Sequence, residues 1–86
     1  MFRDDNSKRY VIRHKNVEAV YDELGKRIAA ARHKQGMSQE VLAARSDIDR
    51  SHVGFIEQGR RKPTIATLFK LSRALKISLE DLFKGL

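Results

Sequence analysis

From Val17 onward, apolar residues recur at helical spacing along the 86-residue chain. In "NVEAVYDELGKRIAAARHKQG" the stripe Val17, Val20 (or Tyr21), Leu24, Ile28 and Ala31 returns every three or four residues, the period of an amphipathic helix. Glu18, Asp22 and Glu23 come early and Arg32, His33 and Lys34 late, an order that suits the helix macrodipole. Gly36 is a natural C-terminal stop. Ser38 predicts an N-cap for a short second helix, "QEVLAARS", with Leu42 and Ala43 expected inside. Asp47 falls where the chain must turn, and Asp tolerates the left-handed conformation better than most residues. Asp49 predicts the cap of a third helix that Gly59 closes. Pro63 and Thr64 open a fourth, "IATLFKLSRAL", expected to turn Ile65, Leu68, Leu71 and Leu75 inward. Ser78 and Asp81 have the spacing of a capping box ahead of a fifth, "LEDLF". The pattern predicts a compact all-α domain of five short helices.

Residues 1–16, "MFRDDNSKRYVIRHKN", show no such period. Arg3, Lys8, Arg9, Arg13 and Lys15 against Asp4 and Asp5 give 5 − 2 = +3. This stretch is expected to be a basic, mobile N-terminal arm, and residues 17–86 the folded domain.

The third helix breaks the ordinary rule for a solvated surface. Stepping about 100° per residue puts Val53 and Ile56 on one side. Ser51, Gly54 and Phe55 fall on the opposite side, with Arg50 and Glu57 at its border. A mid-helix glycine costs roughly 1 kcal/mol relative to alanine, so the expected reason is close approach to another surface. A helix presented in this way can enter a major groove with its N-terminal residues at base edges. The cations Arg60, Arg61 and Lys62 follow it and can grip phosphates.

Charge points to the same partner. A net charge of +7 and a pI near 10.2 fit a polyanion, nucleic acid before membrane. The chain has no cysteine, and its apolar runs are far too short to span a bilayer. A disulfide framework and thiolate metal sites are therefore excluded, and a soluble cytoplasmic protein is expected. His14, His33 and His52 lack ligand spacing, so no metal and no cofactor are expected. Ser51 and His52 are helix neighbours pointing about 100° apart, which does not make a nucleophile and its base. Glu80 and Asp81 read as early-helix acids. No enzyme is expected.

Residues 24–83 resemble the phage repressor/Cro-like (XRE-type) helix-turn-helix transcription regulators. The resemblance is closest to the small bacterial ones that include the controller proteins of restriction–modification systems. The blocks "GMSQEVLA", "HVGFIEQGRRKPTIATL" and "LSRALKISLEDLF" match in register. The resemblance implies a lambda-repressor-like DNA-binding fold with its helix-turn-helix at about residues 39–58, usually working as a homodimer on a palindromic operator in double-stranded DNA. Arg50, Ser51 and Phe55 match the family's base-reading positions, and His52 lies beside them, assigned with Arg60, Arg61 and Lys62 to the DNA backbone. Gln39 matches its phosphate-contacting Gln, and Arg32 and Glu57 a structural ion pair. Asp47 and Lys76 stand where the family more often has glycine, and Phe55 where it often has a polar reader.

A dimer interface is expected from Phe69, Leu79, Leu82, Phe83 and Leu86, which offer more apolar surface than a short final helix needs. The sequence thus reads as a sequence-specific regulator of its own or adjacent genes. If it activates, it needs a patch for RNA polymerase, with Glu40 the candidate acid. The alternative is an antitoxin-type regulator whose main task is binding a partner toxin through the arm. Non-specific binding of DNA or RNA by charge alone is opposed by the organised face at Arg50, Ser51 and Phe55. The arm itself is a candidate for the minor groove.

Overall fold

The structure is a computed structural model that describes residues 16–86. The basic arm, with its expected minor-groove and partner-binding roles, lies outside the described residues apart from Asn16. Five helices follow in order: α1 Val17–Lys34, α2 Gln39–Ser46, α3 Arg50–Glu57, α4 Ile65–Leu75 and α5 Leu79–Phe83.

Side-chain caps define most of the starts. Asn16 Oδ1 accepts the Ala19 N–H at 2.8 Å, so this last residue of the expected arm caps α1. Ser38, Thr64 and Ser78 accept from the N–H three residues on, at 3.1, 3.1 and 3.0 Å. Asp49 stands at the cap position of α3 with no side-chain cap hydrogen bond. The stops are equally local. Gly36 and Gly59 take φ of 70° and 75°, and Asp47 and Lys76 hold the left-handed region at φ 59° and 57°. Two residues with a Cβ thus sit where glycine fits better.

The core forms where the five helices meet. Leu24 and Ile28 of α1, Leu42 and Ala43 of α2, Val53 and Ile56 of α3, Leu68, Leu71 and Leu75 of α4 and Leu82 of α5 are buried, together with Met37 from the first turn. Each fully buried aliphatic side chain of this size contributes about 1.5–3 kcal/mol. Buried hydroxyls are satisfied at home, Ser46 donating to the Leu42 carbonyl at 2.6 Å and Ser72 to that of Phe69 at 2.8 Å.

Two expected core residues lie outside it. Val17 is 55% exposed and Ile65 67% exposed. Each is the first residue of its helix, placed before the turn that descends into the core. Helical period cannot tell where along the stripe contact begins.

Candidate nucleic-acid interface

Besides the shared apolar core, one buried carboxylate ties the α2–turn–α3 unit to α1. Glu57, the last residue of α3, accepts from Arg32 of α1 twice, Nε to Oε2 at 2.7 Å and Nη2 to Oε1 at 3.0 Å. Gln39, the first residue of α2, donates its amide to the same Oε1 at 2.9 Å. Arg32 spends a further N–H on the Met37 carbonyl at 2.9 Å. One carboxylate therefore joins the end of α1, the start of α2 and the end of α3. The two side chains of the pair retain only 9% and 6% exposure. The hydrogen bond to Glu57 raises the Arg32 pKa above its ordinary value, burial opposes this, and attraction to the same carboxylate adds to the rise. With both Glu57 oxygens occupied, the acid at the end of α3 is neutralised within the fold.

A second fastening is steric. A Cβ at Gly25 would fall on the carbonyl oxygen of Ile56 and 2.6 Å from that of Glu57. Helix α1 thus lies directly on the backbone of α3, a contact that the expected core stripe passed over. The signal was a glycine in the middle of an eighteen-residue helix.

On its other side α3 presents Arg50 and Ser51, both exposed, with His52 and Phe55 half-buried. Gly54 corrects the expected outward face, because it is buried. A Cβ there would stand 3.2 Å from Arg50 Nη1 and 3.6 Å from Gln39 Oε1. The close neighbours are side chains of the same chain, which roof the glycine over. Beyond α3, the guanidinium carbons of Arg60 and Arg61 lie over the Phe55 ring, 5.2 and 5.4 Å from its centroid. Lys62 turns away toward α1, 3.6 Å from Glu18 and 5.8 Å from the Tyr21 ring centre.

The expected dimer residues divide. Phe69 is 49% exposed, while Leu79, Phe83 and Leu86 are partly buried against the core. Leu82 has no exposure and is a core residue, because α5 packs on both α1 and α4 along the side that carries it. It has no surface to offer a second copy. Among the described residues no group of His, Cys, Asp and Glu is placed to hold a metal ion, and no helix is long and apolar enough to cross a membrane.

A family profile described as helix-turn-helix matches residues 28–82. The control protein C.MunI of Mycoplasma sp is 38% identical over 55 residues, covering 64% of this chain and 74% of that protein. Among solved structures, the restriction–modification controller protein C.AhdI from Aeromonas hydrophila superposes with a TM-score of 0.74 at 40% identity, over 76% of this chain and 98% of that one. The controller C.Esp1396I, solved as a tetramer in complex with its natural 35-base-pair operator, does so with a TM-score of 0.70 at 31% identity, over 76% and 86%. The capped five-helix order, the buried tie at Glu57 and these matches agree: the chain belongs to the XRE-type helix-turn-helix family of DNA-binding transcription regulators.

Proposed function

We propose that this protein is a sequence-specific regulator that binds a palindromic operator as a homodimer and controls its own or adjacent genes, as a restriction–modification controller does. The observation that carries the reading is α3 itself. Val53 and Ile56 fix one side of it in the core while Arg50 and Ser51 stand exposed at its N-terminal end. Laid in a major groove, that end meets base edges. Arg50 has the fork to pair with guanine, and Ser51 can donate or accept beside it.

The backbone contacts surround this end. Gln39 gives one amide hydrogen to Glu57, and its second serves a phosphate at the start of α2, where the helix also favours anions. His52 lies on the flank of α3, and Arg60 and Arg61 beyond its end. Lys62 contributes charge from farther back, beside Glu18. In the dimer the exposed Phe69, with the outer edges of Leu79, Phe83 and Leu86, forms the seam. Two copies then set their recognition helices about 34 Å apart, one turn of DNA.

A titration against two duplexes at about 0.15 M salt tests the reading. One duplex carries the region upstream of the gene and the other a scrambled sequence. A preference of roughly 10³ or more is expected, and Arg50→Ala should lower operator affinity by about 1–3 kcal/mol while leaving scrambled binding alone. Equal affinities, together with no sequence enriched from a random library, would reject sequence-specific regulation.

A further inference from the structure

Three consecutive cations leave α3, and the fold sends them to two different places. Gly59, at φ 75°, reverses the chain, and the Arg60 N–H donates to the Phe55 carbonyl at 2.9 Å. This turn brings the first two cations back against the helix they follow. Arg60 and Arg61 come to rest over the single half-buried ring of Phe55, at 5.2 and 5.4 Å, while both remain exposed. Lys62 goes instead to Glu18 and Tyr21 of α1.

We propose that Phe55 is a positioning residue for DNA binding: its ring holds Arg60 and Arg61 as a paired phosphate clamp at the end of the recognition helix. This rests on the DNA-binding reading above. A guanidinium is drawn to the face of an aromatic ring by the ring quadrupole, and its five N–H donors leave some to meet phosphate oxygens, even with Arg60 Nη1 donating to Gln58 Oε1 at 3.4 Å. An arginine already held in place gives up less side-chain freedom when it binds. The same arrangement argues against Phe55 as a base reader, which an apolar ring would do through a thymine methyl. That contact needs an apolar ring surface, and two cations lie over it.

The test uses the full chain and the variants Phe55→Leu, Phe55→Tyr, R60A/R61A and the triple F55L/R60A/R61A. Each is titrated over a range of salt on a duplex enriched by the wild type from a random library and on a scrambled one, with thermal unfolding checking the fold. F55L keeps apolar bulk without the quadrupole, so both duplexes should be bound about five- to tenfold more weakly, with the enriched sequence unchanged. F55Y, which keeps the ring face, should restore affinity. F55L should add nothing in the R60A/R61A background, since coupled residues are not additive. Phe55→Met makes the same comparison if F55L does not fold. The proposal is overturned by a loss confined to the enriched duplex with a shifted base preference, by unchanged binding to both, or by a loss that persists without the two arginines. A wild type that binds neither duplex would overturn the DNA-binding reading, and this clamp with it.

Discussion

Replacing Glu57 by Gln removes one charge from the tie between α1, α2 and α3 and changes almost no volume. The Arg32 and Glu57 side chains are 9% and 6% exposed, so water cannot replace what is lost. Breaking a buried ion pair from one side costs about 3–5 kcal/mol, because the remaining charge is uncompensated. Two contacts soften that figure. Arg32 keeps its bond to the Met37 carbonyl, and the new amide still offers one oxygen. Its nitrogen, however, must face an Arg32 N–H, Nε in one orientation and Nη2 in the other. The expected loss is thus about 2–3 kcal/mol. For a domain of this size each kcal/mol moves Tm by roughly 4–8 °C, so circular dichroism should record a fall of about 10–20 °C. Below the new midpoint, the ratio of operator to scrambled affinity should stay at the wild-type value. The double variant R32M/E57M should recover only part of the stability: an apolar pair of similar volume can replace a buried ion pair, but the Met37 carbonyl and the Gln39 amide lose their partners. A midpoint within about 2 °C of wild type, or an altered operator preference in a variant as stable as wild type, would refute the structural role of the pair.

At Gly54 the new Cβ of Gly54→Ala would press on the tip of Arg50, a flexible atom at 3.2 Å. Alanine favours the helix by about 1 kcal/mol, so Tm should hold or rise while operator affinity falls, and a binding titration that finds no loss would separate Arg50 placement from recognition. Gly25→Ala should do the reverse. Its Cβ meets the carbonyls of Ile56 and Glu57, which cannot swing aside, and overpacking of about 1–3 kcal/mol should lower the unfolding midpoint despite better helix propensity; a stabilised variant would mean the crossing relaxes freely. Phe69→Asp places a charge on a residue 49% exposed, so if Phe69 lies in the proposed seam, sedimentation should find the wild type dimeric and the variant folded but monomeric at the same concentration. An unchanged mass would remove Phe69 from the seam.

What the sequence made legible was mostly local. The caps at Ser38 and Ser78 and the turn at Asp47 depend on residues within three or four positions, and each appears where its chemistry predicts. Less legible was anything set by how one helix lies across another. Among Leu79, Leu82 and Phe83, period alone does not say which one α5 turns into α1 and α4, and Leu82 proved to be the core residue. The two mid-helix glycines show the same limit. Both signal a close neighbour, yet Gly54 is approached by the side chains of Arg50 and Gln39, whereas Gly25 is approached by backbone. Arg32 and Glu57 are 25 residues apart, so no local spacing links them; the resemblance alone suggested the pair. It gave no hint that Gln39 shares the same carboxylate.

The crossing at Gly25 also bears on how such a protein could adapt to its site. With the α1 backbone against the carbonyls of Ile56 and Glu57, and Arg32 clasping the same end of α3, a tilt or slide of α3 would have to break this tie or carry α1 with it. A protomer joined this way is expected to move as one piece. In the proposed dimer, any mismatch between the reach of the two copies and the spacing of an operator would then be absorbed at the seam between them or by bending the duplex, so the stiffness of the DNA between half-sites would itself help decide which sites are occupied.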